Sequence, residues 1–224
     1  MILTIPIFIC IKGVSKRCPG KNKMLLPYAY SYLTKIGEIN NVIIISEDNE
    51  LLQYAQSLGF LNIYKEDYIE NGDELLSISN YFINNHICYS YFFLFPICQP
   101  YKNLDLINKF KKNIDKLDSY DFITSKTFIE DRSIFYIDDH NNFINKSNNL
   151  NERKGSLCKT YYMIDGSLYL FKYSFFEKIM NTINKNSALW NSNFYTIENN
   201  SIFLDIDYKN DLNKFYENIT YFRE

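Results

Sequence analysis

Three observations in the sequence predict an α/β fold of the Rossmann-like kind, a three-layer sandwich with a mostly parallel central sheet. Short apolar, β-branched runs alternate with stretches of helical period. Those runs end in polar or glycine-bearing loops, the pattern of strand, loop and helix that builds a parallel sheet. The chain has 224 residues, 46% hydrophobic and 22% charged. That is enough for one substantial core, so a single domain over residues 1–224 is expected.

The elements follow in order. Ile2 to Ile11 is too short to cross a membrane and lacks the basic start and small-residue cleavage site of a signal peptide, so it reads as a buried first strand. Leu25 to Ile36 has helical spacing, and Asn41 to Ile45 is a β-branched strand ending at Ser46, Glu47 and Asp48. Glu50 to Leu58 reads as a helix stopped by Gly59. Asp73 to Asn84 is a third helix, feeding a strand over Tyr91 to Phe95, and Leu104 to Leu117 is a fourth. Thr127 to Leu157 is polar and Asn-rich and reads as an excursion: a dimer contact, an active-site lid or a mobile loop. A strand over Tyr161 to Phe171, a helix over Ser174 to Thr182 and a late strand over Ile202 to Ile206 complete the chain.

Composition narrows the function. With 24 basic and 26 acidic side chains and a net charge of −2, the chain lacks the basic excess of a nucleic-acid binder. No run is long enough to span a membrane. Five widely spaced cysteines form neither C-x-x-C nor a zinc pattern and read as free thiols in a reducing cytosol, so the cytoplasm is the expected location. His86 and His140 have no partner in the sequence and read as surface or half-buried residues. The basic residues comprise 20 Lys and only four Arg, beside 28 Asn and 30 Ile, a bias toward A/T-rich codons that gives each remaining Arg added interest.

Two segments carry chemistry. Lys12 to Asn22 packs Lys12, Lys16, Arg17 and Lys21 with Gly13, Ser15 and Gly20 directly after a strand, where open α/β sheets bind ligands. Gly13 would let the backbone approach an anion, Ser15 offers a hydroxyl, and the four cations suit a polyphosphate. The spacing is not that of a Walker loop, and a solvated basic turn is the plain alternative. Near the other end, Asp205 and Asp207 stand two apart at the expected end of the late strand, which would turn both carboxylates to one side. Such a pair suits Mg²⁺ held together with substrate phosphates, although acidic strand ends also serve as helix caps. Asp211 falls in the first turn of the following helix, where a negative side chain suits the dipole.

In combination these segments make the sequence resemble the CMP-sialic acid synthetases, or acylneuraminate cytidylyltransferases. Ile11 to Asn22 stands in the order of that family's A-R-x-G-S-K-R-x-P-x-K-N motif, with Lys12 in the Arg place, and Asp205 to Leu212 follows its late D-I-D-T-x-x-D-L. Ser46, Glu47 and Asp48 take the place of S-T-D, and Tyr162 to Gly166 that of Y-x-x-N-G, with Asp165 for Asn. The Q-P-T-S-P-L-R motif is the poorest match: Pro96, Ile97 and Cys98 are followed by Gln99, Pro100, Tyr101 and Lys102.

The resemblance implies a nucleotide-diphospho-sugar transferase fold, a homodimer, and transfer of CMP from CTP to the anomeric hydroxyl of a nonulosonic acid with release of pyrophosphate. It implies that Lys21 meets the α-phosphate, that Lys12, Gly13, Ser15, Lys16 and Arg17 cradle the leaving phosphates, and that Asn22 lies beside the nucleotide. Lys21, Arg17 and Asp207 would carry catalysis, Asp205 and Asp207 would hold Mg²⁺, and Gln99 and Lys102 would touch sugar or base. Arg153, in the polar segment, would reach the sugar carboxylate. A Kdo-type cytidylyltransferase and a non-catalytic CTP-binding relative are the alternatives.

Overall fold

The computed structural model describes residues 5–67, 73–129 and 161–221. A seven-stranded sheet runs in the order β3-β2-β1-β4-β6-β5-β7. Its members are β1 (Ile7–Cys10), β2 (Val42–Ser46), β3 (Asn62–Lys65), β4 (Tyr91–Leu94), β5 (Phe122–Ile129), β6 (Tyr161–Lys172) and β7 (Phe194–Glu198). All neighbours pair in parallel except β6, which runs antiparallel to β4 and β5. This is the mostly parallel three-layer fold expected from the sequence.

Alternation along the strands divides the core. In β1, Ile7 and Ile9 face a layer built from α1 (Lys21–Lys35), α2 (Asn49–Leu58), α4 (Leu106–Lys112) and α7 (Lys209–Tyr221). Phe8, between them, faces the opposite layer of α3 (Glu74–Asn85), α5 (Tyr173–Met180) and α6 (Lys185–Trp190). Both β1 faces are buried, so its sequence reads as one continuous apolar run. The second layer is aromatic: Phe82 meets Phe8, Phe92 and Phe176 edge to face at 5.3–5.9 Å between ring centres.

Several sequence expectations are corrected. Strands β3, β5 and β7 and helix α6 went unmarked. In β3 the residues are exposed or half-buried, and in β7 only Ile197 is buried, so neither shows a buried apolar run. The late strand over Ile202 to Ile206 does not form: Ile202 and Phe203 are exposed, and only Ile206 is fully buried, its N–H donating to the Cys98 carbonyl at 2.9 Å. The last strand is instead β7, upstream. Of the expected excursion, Thr127, Phe128 and Ile129 belong to β5, while 130–157, including Arg153, lies outside the described residues. The β5–β6 ladder shifts register between Thr124 and Lys126, opposite Gly166 at φ +65°, a left-handed bulge position that glycine occupies without strain. Among the described residues no helix is long and apolar enough to cross a membrane.

Candidate active site

β1 leads through α1 to β2 on one side, while β4 lies on the other side of β1. The strand order therefore reverses between β1 and β4, and a crevice opens at their carboxyl ends, the usual ligand position in such sheets. A cavity of about 320 Å³ occupies it. Lys12, Arg17, Lys21 and Asn22 line it from the loop after β1 and the first turn of α1. Glu47, Glu66, Asp67 and Glu74 line it from the ends of β2 and β3 and the start of α3, and Asp207 closes it from the segment before α7.

The two ends of the chain meet here. Lys21 Nζ donates to the Ile206 carbonyl at 2.6 Å and to Asp207 Oδ1 at 3.3 Å. Arg17 Nη2 pairs with the same Oδ1 at 2.8 Å, and its guanidinium lies 5.6 Å from the Tyr208 ring centre. Asp211 accepts from the backbone N–H groups of Asp207 and Tyr208 at 3.2 and 2.9 Å, which fixes the turn carrying Asp207. Helix α1 has no acidic residue in its first turn and begins with Lys21. A cation at the positive end of a helix is unfavourable by itself and becomes favourable when an anion sits between them.

Asp205 lies two residues from Asp207 but not on a strand, and only Asp207 is on the cavity wall, although the Asp207 charge still acts on Asp205. Burial, then the neighbouring Asp207 charge, raise the Asp205 pKa, opposed by a Cys98 hydrogen bond, Lys21 and Arg17. Its Oδ1 is buried without a hydrogen-bond partner. An orphaned carboxylate oxygen beside a second carboxylate fits a hard divalent cation. Among the described residues no cluster of three or more His, Cys, Asp or Glu could hold a metal, so phosphate oxygens would have to complete its shell.

The basic loop is shaped from within. A Cβ on Gly13 would lie 2.2 Å from Asp48 Oδ2, so the close approach that Gly13 permits is to Asp48. The Gly13 N–H donates to Glu47 Oε1 at 2.8 Å. Asp48 in turn caps α2, accepting from the N–H groups of Glu50 and Leu51. Gly13→Ala is therefore expected to push the loop and the cap apart, lowering stability by about 1–2 kcal/mol, the range for a lost N-cap, and weakening nucleotide affinity with it. Thermal melting and calorimetric titration check both; an unchanged melting temperature would show that the loop yields freely. Ser15 is 6% exposed and its Oγ accepts from the Cys18 N–H at 3.3 Å, while Lys16 is exposed; neither is on the cavity wall. Asn22 Nδ2 donates to the Lys12 carbonyl at 2.7 Å, tying the loop to α1.

Gln99 and Lys102 turn into the protein rather than into this cavity. Lys102 Nζ donates to the carbonyls of Pro96, at 2.8 Å, and Gln99, and it lies 4.1 Å from the Phe95 ring centre. Burial pulls its pKa down to about 7. Its role in the fold is to close the loop after β4. Gln99 Oε1 is buried without a partner, and the side chain packs against Gly166. Asp165, 2% exposed, accepts from Ser125 Oγ, the Ser167 N–H and Asn199 Nδ2.

Sequence reasoning passed over Glu66 and Glu74. Burial, then Asp73, push the Glu74 carboxyl up to about 7, opposed by Lys21 and Lys12. Its position directly after the Asp73 cap of α3 was a legible signal. Glu66 had none, because the strand it follows was not visible.

The sequence matches no family model and no curated protein. Solved structures do match. A CMP:2-keto-3-deoxy-manno-octonic acid synthetase complexed with CTP has a TM-score of 0.69 at 13% identity, over 97% of this chain and 98% of that one. A cytidylyltransferase from Leptospira borgpetersenii has a TM-score of 0.65 at 13% identity, over 98% and 87%. A 4-diphosphocytidyl-2C-methyl-D-erythritol synthase from Anaerococcus prevotii has 0.58 at 14% identity, over 96% and 99%. At these identities the likeness is one of fold, and the chain has the α/β fold of these nucleotidyltransferases.

Proposed function

We propose that this chain is a CTP-dependent cytidylyltransferase that transfers CMP to the anomeric hydroxyl of an acidic 2-keto sugar and releases pyrophosphate. The observation that carries the reading is the contact of Lys21 with Asp207 and the Ile206 carbonyl, 186 and 185 residues away, which joins the two motifs at one cavity. The motif resemblance favours a nonulosonic acid of the sialic, pseudaminic or legionaminic kind. The structural likeness to the octonic acid synthetase favours the Kdo-type sugar equally.

In this reading the sugar hydroxyl oxygen bonds to the α-phosphorus, the bond from that phosphorus to the bridging oxygen breaks, pyrophosphate leaves with the electron pair, and the hydroxyl proton passes to solvent. Lys21 neutralises the α-phosphate, and Arg17 and Lys12 bind the departing groups, in a site whose positive charge is fixed before substrate arrives. Asn22 keeps the loop against α1. Asp205 and Asp207 would hold Mg²⁺, which when bound neutralises phosphate charge and acidifies the sugar hydroxyl. The homodimer implied by the resemblance belongs to the same proposal.

Incubating the protein with CTP, Mg²⁺ and a panel of 2-keto acid sugars, and measuring pyrophosphate, tests it. One sugar is expected to release pyrophosphate stoichiometric with CMP-sugar. CTP binding with no release for any sugar would instead establish the non-catalytic alternative.

A further inference from the structure

The cavity poses a charge problem. A triphosphate is a polyanion, yet the cavity that holds Lys12, Arg17 and Lys21 is also lined by carboxylates, Glu66 after β3 and Glu74 at the start of α3. β3 lies two strand positions from β1, about 10 Å at the usual strand spacing. That separation is comparable to the length of a nucleotide from its phosphates to the far edge of its base. A ligand filling the cavity with its phosphates on the basic loop therefore brings its base to the β3 side, where Glu66 stands.

Glu66 is held rigidly there. It is 5% exposed, its N–H donates to the Ser46 carbonyl at 3.0 Å, and its Oε1 accepts from Asn80 Nδ2 at 2.8 Å. No other described residue donates to its carboxylate, which lines the cavity. Its carboxylate therefore presents acceptor capacity to the cavity, which a donor on a bound ligand can take up in place of solvent.

Resting on the cytidylyltransferase reading, we propose that Glu66, oriented by Asn80, accepts a hydrogen bond from the exocyclic amino group of the nucleobase and so selects an amino-pyrimidine over a keto-pyrimidine. A keto oxygen in the same place would set acceptor against acceptor inside a buried site, leaving both unpaired. The role is one of nucleotide selection, separate from the charges that act on the phosphates.

Calorimetric titration of the full chain with CTP and with UTP tests the inference. The wild type is expected to bind CTP at least about tenfold tighter than UTP, the value of one hydrogen bond to a charged group. In Glu66→Gln the amide oxygen keeps the Asn80 bond and the amide N–H₂ turns to the cavity, a donor where the carboxylate was an acceptor. The preference is then expected to vanish or invert. Asn80→Ala, which frees Glu66 without altering its charge, is expected to reduce the preference by a smaller factor and guards against a Gln variant that fails to fold. A CTP to UTP ratio unchanged in a folded Glu66→Gln, or absent in the wild type, overturns the inference while CTP binding leaves the proposed function standing. No binding of either nucleotide overturns both.

Discussion

Asp207→Asn is expected to lower pyrophosphate release by roughly 10²–10³-fold while leaving the melting temperature nearly unchanged. The amide keeps the shape of the carboxylate and removes one charge from a pair whose other member, Asp205, already has a buried oxygen without a partner. The metal-free state should respond in the opposite sense. Asp207 Oδ1 holds both Arg17 at 2.8 Å and Lys21 at 3.3 Å, so the substitution releases two cations toward the phosphates. CTP binding in chelator is therefore expected to hold or tighten while turnover with Mg²⁺ collapses. Turnover near the wild-type rate would remove Asp207 from the reaction.

Lys21→Met should cost as much, by a different route. The Lys21 side chain is 13% exposed, and its amino group ties the Ile206 carbonyl to α1 across 185 residues. Removing it deletes the charge proposed to meet the α-phosphate and leaves that carbonyl without its donor. We expect kcat to fall roughly 10²–10³-fold, with a stability loss of about 1–3 kcal/mol from the unpaired carbonyl. Lys21→Arg restores charge but not shape, because a planar fork does not fit a site made for a compact ammonium. It is expected to recover less than about a tenth of the activity. Full recovery by Arg would mean that charge alone matters at this position.

Some of this site was open to sequence reasoning because it is local. A basic loop after a β-branched run, and an acidic pair before a helix, are patterns within a dozen residues, and both segments border the cavity. Other parts failed for identifiable reasons. Lys102 looked like a substrate contact because its neighbours in the chain sit in a motif, yet its amino group bonds to the carbonyls of Pro96 and Gln99 inside its own loop. Ile202 to Ile206 looked like a strand because it is apolar, although Ile202 and Phe203 face outward. Burial, which decides both cases, is a property of what packs from elsewhere.

The sequence by itself determined the α/β class, the buried strands β1, β2, β4 and β6, and the two charged segments, since each follows from the pattern of neighbouring residues. Only the tertiary structure decided that Lys21 and Arg17 share one oxygen of Asp207, that Gly13 makes room for Asp48, and that Glu66 and Lys12 line one cavity. Those contacts join residues far apart in the chain, and they exist because parallel β1, β2 and β3 bring their carboxyl-end loops to one edge of the sheet, where the segment before α7 also packs.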